Sequence, residues 1–288
     1  MSIRGYKSQN MKRNTRVFLQ PHIALPTDHG SWVFLLSPLL IGLFAGKSFS
    51  LDSILLILAA LAAFLVRQPV TVLVKVLSKR RGRQDLPPAL FWAGVYGLIG
   101  LLAFTALALR GFGYLFWLAA PGAPVFLWHL VLVSRRQERR QAGVEIVASG
   151  VLALAAPAAY WVGVRSPHPA GWWLLGLIWL QSAASIVYAY LRLSQREVAA
   201  NPGSRELFRM ARRALLYTTF NVLLVLALGL ARWVPPWLFL PYLLQWAESL
   251  WGAFHPAIGV KPTRIGLRQL VVSSAFTLLF ILAWDFKV

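Results

Sequence analysis

Residues 169–191 read PAGWWLLGLIWLQSAASIVYAYL, and residues 192–197, which follow them, read RLSQRE. The first segment contains no charged residue and exceeds the roughly 20 residues that a helix needs to cross a bilayer. The arginines that follow are typical of the cytoplasmic end of a transmembrane helix. The two segments together predict a membrane-spanning helix that enters the cytoplasm at its C-terminal end.

The same alternation of apolar stretch and polar connection recurs along the chain. Of its 288 residues, 58% are hydrophobic and only 9 are Asp or Glu. This composition predicts an all-α, polytopic helical membrane protein: a disordered basic cytoplasmic tail at 1–16 and one transmembrane domain at 17–288. The predicted spans are nine stretches at about 26–46, 50–66, 87–109, 112–133, 143–164, 169–191, 214–231, 234–255 and 266–284.

The basic residues are distributed unevenly between the two sets of connections. Of the 29 Lys and Arg residues, 24 fall on alternate connections, beginning with the N-terminal tail. Excess Lys and Arg in short loops marks the cytoplasmic side, so the N-terminus is predicted to lie inside and the C-terminus outside. That arrangement requires an odd number of spans, which nine satisfies. The other five are Lys47, Arg110, Arg165, Arg232 and Lys287.

The formal net charge of +20 is placed in short loops beside apolar spans. Anionic lipid headgroups on the cytoplasmic side are therefore the expected partners, and nucleic acid is not. The chain has no cysteine, which excludes disulfides, thiolate nucleophiles and cysteine-based metal sites. No cofactor, metal ligand or catalytic residue is predicted.

Ionisable residues inside a membrane cost about 2.5–3.5 kcal/mol each, so the few in the spans are informative. In span eight, Glu248 and His255 are seven residues apart and share a helix face. In span six, a polar stripe occupies one face, which must turn toward the bundle interior or a cavity rather than lipid. The stripe consists of Gln181, Ser185, Tyr188, Arg192 and Gln195.

Further polar residues lie near the inner ends of other spans. Arg213, Tyr217 and Asn221 recur every four residues in span seven, which suggests one face. Span two ends at Arg67, and span four contributes His129. Taken singly, His129 suits a hydrogen-bonded interior position and Arg67 a snorkelling headgroup contact. Together these faces predict a cytoplasm-facing, Arg-rich cavity for an anionic small molecule or lipid.

Small residues indicate where helices pack closely. Gly94, Gly97 and Gly100 recur at intervals of three in span three, and span five is rich in alanine around Ala156 and Ala159. Such residues let transmembrane helices approach one another. Both sets are interpreted as packing surfaces without a functional role.

Four motifs resemble the YwiC-like family of bacterial integral membrane proteins: PTDHGSW at 26–32, RQP at 67–69, VYAYLR at 187–192 and HPAIG at 255–259. The resemblance implies a multi-pass protein of the bacterial cytoplasmic membrane, and it carries no established molecular function. Asp28 and His29, in the first motif, are further candidate ligand-binding residues that either close the mouth of the cavity or begin the first helix.

The topology also resembles that of UbiA-type intramembrane prenyltransferases. Those enzymes carry Asp-rich magnesium motifs in the loops after spans two and six, where this chain has only Asp85, Glu197 and Glu206. We therefore expect a non-enzymatic protein that binds or moves an anion. The alternatives are a divergent UbiA-like prenyl or phospholipid transferase and a purely structural membrane partner. The candidate ligand-binding residues are Arg67, His129, Tyr188, Arg192, Asn221, Glu248, His255, Asp28 and His29.

Overall fold

The fold is all-α, as predicted. A computed structural model describes residues 20–26, 29–137, 141–198 and 203–285, and no strand occurs within these ranges. The predicted tail at 1–16 and Asp28 lie outside the described residues, as does the side chain of His29. The helices are α1 Pro21–Ala24, α2 His29–Gly46, α3 Leu51–Leu77, α4 Leu86–Leu107, α5 Leu115–Ala119, α6 Gly122–Ser134, α7 Ala142–Ala153, α8 Ala155–Val164, α9 Pro169–Gln195, α10 Ser204–Leu230, α11 Phe239–Phe254 and α12 Pro262–Asp285.

The length and apolarity of these helices identify a multi-pass membrane protein. Within the described residues, seven helical segments are long and apolar enough to cross a membrane. The apolar segment Gly30–Gly46 and the 16-residue helix α11 are shorter. The count of nine spans and the orientation remain predictions. The seven segments are Leu51–Leu77, Arg83–Phe112, Leu115–Ser134, Ala142–Val164, Pro169–Gln195, Ser204–Leu230 and Pro262–Trp284.

Helix α3 extends well beyond the predicted end of span two at residue 66. The whole helix is 27 residues long, and Pro69 lies inside it. Beyond that proline, Val72 and Val76 are buried and pack in one cluster with Ile23 and Ala89. Tertiary packing of these apolar side chains supports the helix where a proline would otherwise favour a break.

The contacts along the chain divide the protein into two compact units. The first unit comprises residues up to 28, 54–113 and 122–140; the second comprises 29–53, 114–121 and 141–288. Within the first unit, the Tyr96 hydroxyl donates a hydrogen bond to the Ala24 carbonyl. Helices α9, α11 and α12 belong entirely to the second unit.

Helices α2 and α8 pack backbone to backbone in the second unit. A methyl group added at Gly42 would lie 2.2 Å from the Ala156 carbonyl oxygen, and one at Gly163 would lie 2.8 Å from the Gly46 Cα. This contact confirms the packing role of the span-five alanines. By contrast, no heavy atom of the described residues lies within 4 Å of a methyl placed at Gly94 or Gly97. A methyl placed at Gly100 lies 3.3 Å from the Ala62 Cβ within the first unit, so the close contact of this set is at Gly100, and the packing role of Gly94 and Gly97 stays a prediction.

The absence of native cysteine allows a direct test of the predicted orientation. Ser166 and Ser204 are both exposed, one before α9 and one at the start of α10. We expect Ser166→Cys to react with a membrane-impermeant maleimide in intact cells. Ser204→Cys, on the predicted cytoplasmic side, should react only after permeabilisation. The reverse pattern of labelling would contradict the orientation inferred from the basic residues.

Candidate functional site

The polar stripe of helix α9 faces the interior of the second unit, as predicted. Its five side chains are all buried, with Tyr188 and Gln195 completely inaccessible to solvent. The residues between these positions are mostly apolar and lie on the other faces of the helix. The polar side chains therefore share one face, which turns toward the interior. The buried polar residues of the stripe are Gln181, Ser185, Tyr188, Arg192 and Gln195.

Helix α11 lies against this stripe and runs parallel to α9. The Tyr242 hydroxyl donates to the Leu177 carbonyl at 2.8 Å, and one helical turn further along both helices Gln181 Nε2 donates to Gln245 Oε1 at 3.1 Å. Residue numbers increase together in successive contacts, which defines the parallel arrangement. The two helices therefore share a polar contact surface rather than an apolar one.

Gly252 leaves the space on α11 that the Tyr188 side chain occupies. A methyl group at this position would lie 2.3 Å from the Tyr188 hydroxyl oxygen and 2.7 Å from its ring. Such a contact is far inside van der Waals distance, and a buried tyrosine ring has little room to withdraw. Glycine at 252 therefore permits the Tyr188 side chain to cross α11 and reach Glu248.

Glu248 is the carboxylate at the centre of the site. Its Oε1 accepts a hydrogen bond from the Tyr188 hydroxyl at 2.9 Å. Arg268, on α12, donates from Nε at 2.6 Å and from Nη2 at 2.8 Å to the two carboxylate oxygens. This bidentate geometry is the strongest form of arginine–carboxylate pairing, and it neutralises a charge that is costly inside a membrane. The Arg268 side chain remains 42% exposed, whereas that of Glu248 is 9% exposed.

Trp251 links the basic side chains of the site. The Arg268 guanidinium lies 3.5 Å from the Trp251 ring centroid, and the Arg192 guanidinium lies 5.4 Å from it. The His255 ring stacks nearly parallel on the indole, at an interplanar angle of 8° and a centroid distance of 4.7 Å. Stacking on an aromatic face favours a cation, so Trp251 holds Arg268 in place alongside its pairing with Glu248.

Arg192 binds the C-terminal end of α11. Its Nη1 lies 3.0 Å from the Gly252 carbonyl oxygen and 2.6 Å from that of His255. The same nitrogen lies 2.8 Å from Gln195 Oε1, and Gln195 Nε2 donates to the Gly252 carbonyl at 3.0 Å. The last carbonyls of a helix have no partner within the helix and carry partial negative charge. A buried arginine is therefore well suited to this position.

The expected shared face of Arg213, Tyr217 and Asn221 does not occur. Arg213 and Tyr217 are exposed, whereas Asn221 is buried and its amide donates to the Leu180 carbonyl at 3.0 Å. Residues spaced by four drift by about 40° per step around a helix with 3.6 residues per turn. The face that is actually buried follows mixed spacings of three and four: Ala211, Ala214, Thr218, Asn221 and Val225.

The remaining predicted residues divide between the two units. Arg67 and His129 belong to the first unit and are partly buried, with the Arg67 guanidinium 5.1 Å from the Phe64 ring centroid. Asp28 and the His29 side chain lie outside the described residues. Within the second unit, the structure brings together four of the predicted residues: Tyr188, Arg192, Glu248 and His255.

Sequence reasoning did not select Arg268 or Trp251 as site residues. A usable signal for Arg268 is its position inside the last apolar stretch, where a lone cation requires an acidic partner. Glu248 is the acid well inside the predicted spans. Trp251 carried no distinguishing signal, because interfacial tryptophan is common in membrane proteins and this chain has 13 of them.

A depression with a volume of about 660 Å³ lies beside the site, where the loop after α11 meets the start of α12. Arg196 Nε donates to the Val260 carbonyl at 3.2 Å at the edge of this loop. In the described part of the chain, no group of three or more His, Cys, Asp or Glu side chains is arranged to hold a metal. The depression is lined by Ile258, Gly259, Val260, Lys261, Thr263 and Arg264.

Comparison with known proteins bears on the N-terminal half of the chain. Searches of curated proteins and of solved structures found no match. A family model described as YwiC-like protein matches residues 25–160. The motifs at 26–32 and 67–69 lie inside this range, and those at 187–192 and 255–259 lie beyond it. The predicted resemblance is thus confirmed by the match of residues 25–160 to the YwiC-like protein family.

Proposed function

We propose that this multi-pass protein of the bacterial cytoplasmic membrane is non-enzymatic. In this proposal it binds an anionic lipid headgroup or small anion at the cytoplasmic end of α9, α11 and α12. The observation that carries the proposal is the excess of cationic groups there. Residues 192–197 and 248–268 contain five Lys and Arg residues and two Glu residues, a formal net charge of +3 with histidine neutral. A phosphate or carboxylate at the membrane surface is the expected counter-charge.

The basic residues have different roles within this proposal. Arg192 is buried and bonded to the carbonyls of α11, so it supports the site rather than contacting the ligand. Lys261 and Arg264 are exposed and line the depression, and they are the proposed direct contacts. Arg268 is partly exposed and paired with Glu248. An anion that approaches from the depression accepts a hydrogen bond from one of the guanidinium N–H groups that Glu248 does not use.

The first test is a comparison of lipid headgroups with the purified full-length protein. Dioctanoyl phosphatidylglycerol, with an anionic headgroup, is expected to raise the thermal unfolding midpoint, whereas dioctanoyl phosphatidylcholine is not. Ligand that saturates the folded state at 100 times its dissociation constant adds about 2.7 kcal/mol of stability. Inorganic phosphate, titrated separately, distinguishes a free anion from a headgroup that also requires its acyl chains.

A matched pair of double variants locates the effect. Lys261→Gln with Arg264→Gln removes two charges from the depression and is expected to abolish most of the stabilisation by phosphatidylglycerol. Arg209→Gln with Arg212→Gln removes two exposed charges from α10, on the same predicted side of the membrane. This control should retain the response. Equal responses in both double variants would reduce the binding to non-specific surface attraction and overturn the proposal.

A further inference from the structure

A layer of buried amide and hydroxyl groups lies between α9, α10 and α11, separate from the charged cluster. Four side-chain atoms in this layer are inaccessible to solvent, and none has a hydrogen-bond partner among the described residues. Buried polar atoms without partners are rare in folded proteins because desolvation is then uncompensated. Each residue that carries one of them is at least 95% buried. The four atoms are Gln181 Oε1, Asn221 Oδ1, Gln245 Nε2 and Ser249 Oγ.

The pairing of the two glutamines explains why groups remain unbonded. Gln181 Nε2 donates to Gln245 Oε1 and also lies 3.3 Å from Ser185 Oγ. A single hydrogen bond between two primary amides uses one N–H group and one oxygen, and it always leaves the opposite amide oxygen and nitrogen free. Exchanging the oxygen and nitrogen positions of both side chains leaves the same two kinds of group. The layer therefore requires both a donor and an acceptor from elsewhere.

The unpaired oxygens and the unpaired N–H group of the layer determine which kind of ligand can bind there. A cation would be repelled by the Gln245 N–H₂ group and by the positive charge of Arg192, which lies further along the same face of α9. An anion would be repelled by the carbonyl oxygens of Gln181 and Asn221. A water molecule donates two hydrogen bonds and accepts others, so it matches a site that offers oxygens and an N–H group together.

We propose that the layer formed by Gln181, Gln245, Ser249 and Asn221 is an internal water site within the transmembrane bundle. It extends the polar surface between α9 and α11 away from Tyr188 and Glu248 and into the core. The contacts between these helices run from Leu177 to Gln195, about 27 Å along a helix that rises 1.5 Å per residue. Bound water in the layer connects side chains that do not hydrogen-bond to each other directly, so that hydrogen bonds continue along this surface. The inference does not depend on anion binding.

X-ray radiolytic labelling of the full-length protein, read by mass spectrometry, tests the site because internal water generates hydroxyl radicals beside it. Tyr188 is completely buried and lies one turn from Ser185, and we expect it to be labelled. Phe280, equally buried in an apolar cluster, should remain unlabelled. Gln181→Leu with Gln245→Leu should reduce Tyr188 labelling several-fold, because leucine neither binds water nor leaves polar groups unpaired.

A second polar pair, the partly buried Ser37 and the buried Thr277, supplies the matched control. Ser37 and Thr277 hydrogen-bond to each other at 2.6 Å, so Ser37→Ala with Thr277→Val removes a satisfied pair and should leave Tyr188 labelling unchanged. Ser249→Ala, a milder change in the layer, is expected to reduce labelling and decides the question if the double leucine variant does not fold. Unlabelled Tyr188 in the unaltered protein, or equal labelling in it and the layer variants, would overturn the proposal.

Discussion

Replacement of Gly42 with valine is expected to destabilise the protein by about 3 kcal/mol, the upper part of the usual range for an overpacked core. The added side chain would enter the space occupied by the Ala156 backbone and the Ala159 methyl group. Neither can withdraw without separating α2 from α8, because the obstructing atoms belong to the other helix rather than to a flexible side chain. Unfolding by sodium dodecyl sulfate from mild detergent measures the loss.

Gly97→Val provides the matched control for this prediction. Gly97 also lies in an apolar helix, but an added methyl meets no described heavy atom within 4 Å. The substitution changes backbone and side-chain entropy without creating a clash, so its expected effect lies within about 0.5 kcal/mol of zero. Similar losses for Gly42→Val and Gly97→Val would contradict the close approach of α2 and α8.

Arg192→Ala is expected to cost about 3 kcal/mol, because it removes the donor to the His255 carbonyl and to Gln195 Oε1 and leaves the Gly252 carbonyl with Gln195 as its remaining donor. The loss should be the same with and without phosphatidylglycerol, since Arg192 stabilises the fold rather than contacting a ligand. Thermal unfolding in detergent, with and without the lipid, measures both quantities. Arg192→Lys should recover only part of the stability, since an ammonium group does not reproduce the guanidinium geometry.

Arg196→Ala is the control for this loss. Arg196 is less buried than Arg192, and its side chain donates to a single loop carbonyl, that of Val260. Loss of one such hydrogen bond is expected to cost about 1 kcal/mol. A variant with alanine at 192 that unfolds no more easily than the Arg196 variant would show that the α11 carbonyls do not depend on Arg192.

The membrane class and the burial of the α9 stripe were predictable because both follow from periodicity along a single helix. Backbone groups in a bilayer must be satisfied internally, so a long apolar segment specifies a helix. Once that helix is assumed, the stripe from Gln181 to Gln195 shares one face whatever the neighbours are. The same reasoning failed for Arg213 and Tyr217, because a spacing of four follows the buried face of α10 for only one or two steps.

The choice of partners was not predictable, since it depends on the depth and rotation of helices that are distant in sequence. Glu248 required a partner inside the membrane, but the sequence offered several arginines, and only the placement of α12 selects Arg268. Arg192, predicted as a candidate ligand-binding residue, binds the carbonyls of α11. Those carbonyls are backbone groups, which every residue possesses, so no side-chain pattern could single them out.

The glycines illustrate the same division. Gly42 and Gly97 both occur in apolar helices, yet among the described residues Gly42 meets a neighbouring backbone and Gly97 does not. Apolar segments and the placement of basic residues were enough to specify a multi-pass helical protein, because a bilayer imposes that outcome on each segment independently. The Glu248–Arg268 pair and the buried amide layer arise only from tertiary structure, because a polar side chain finds its partner through packing between helices.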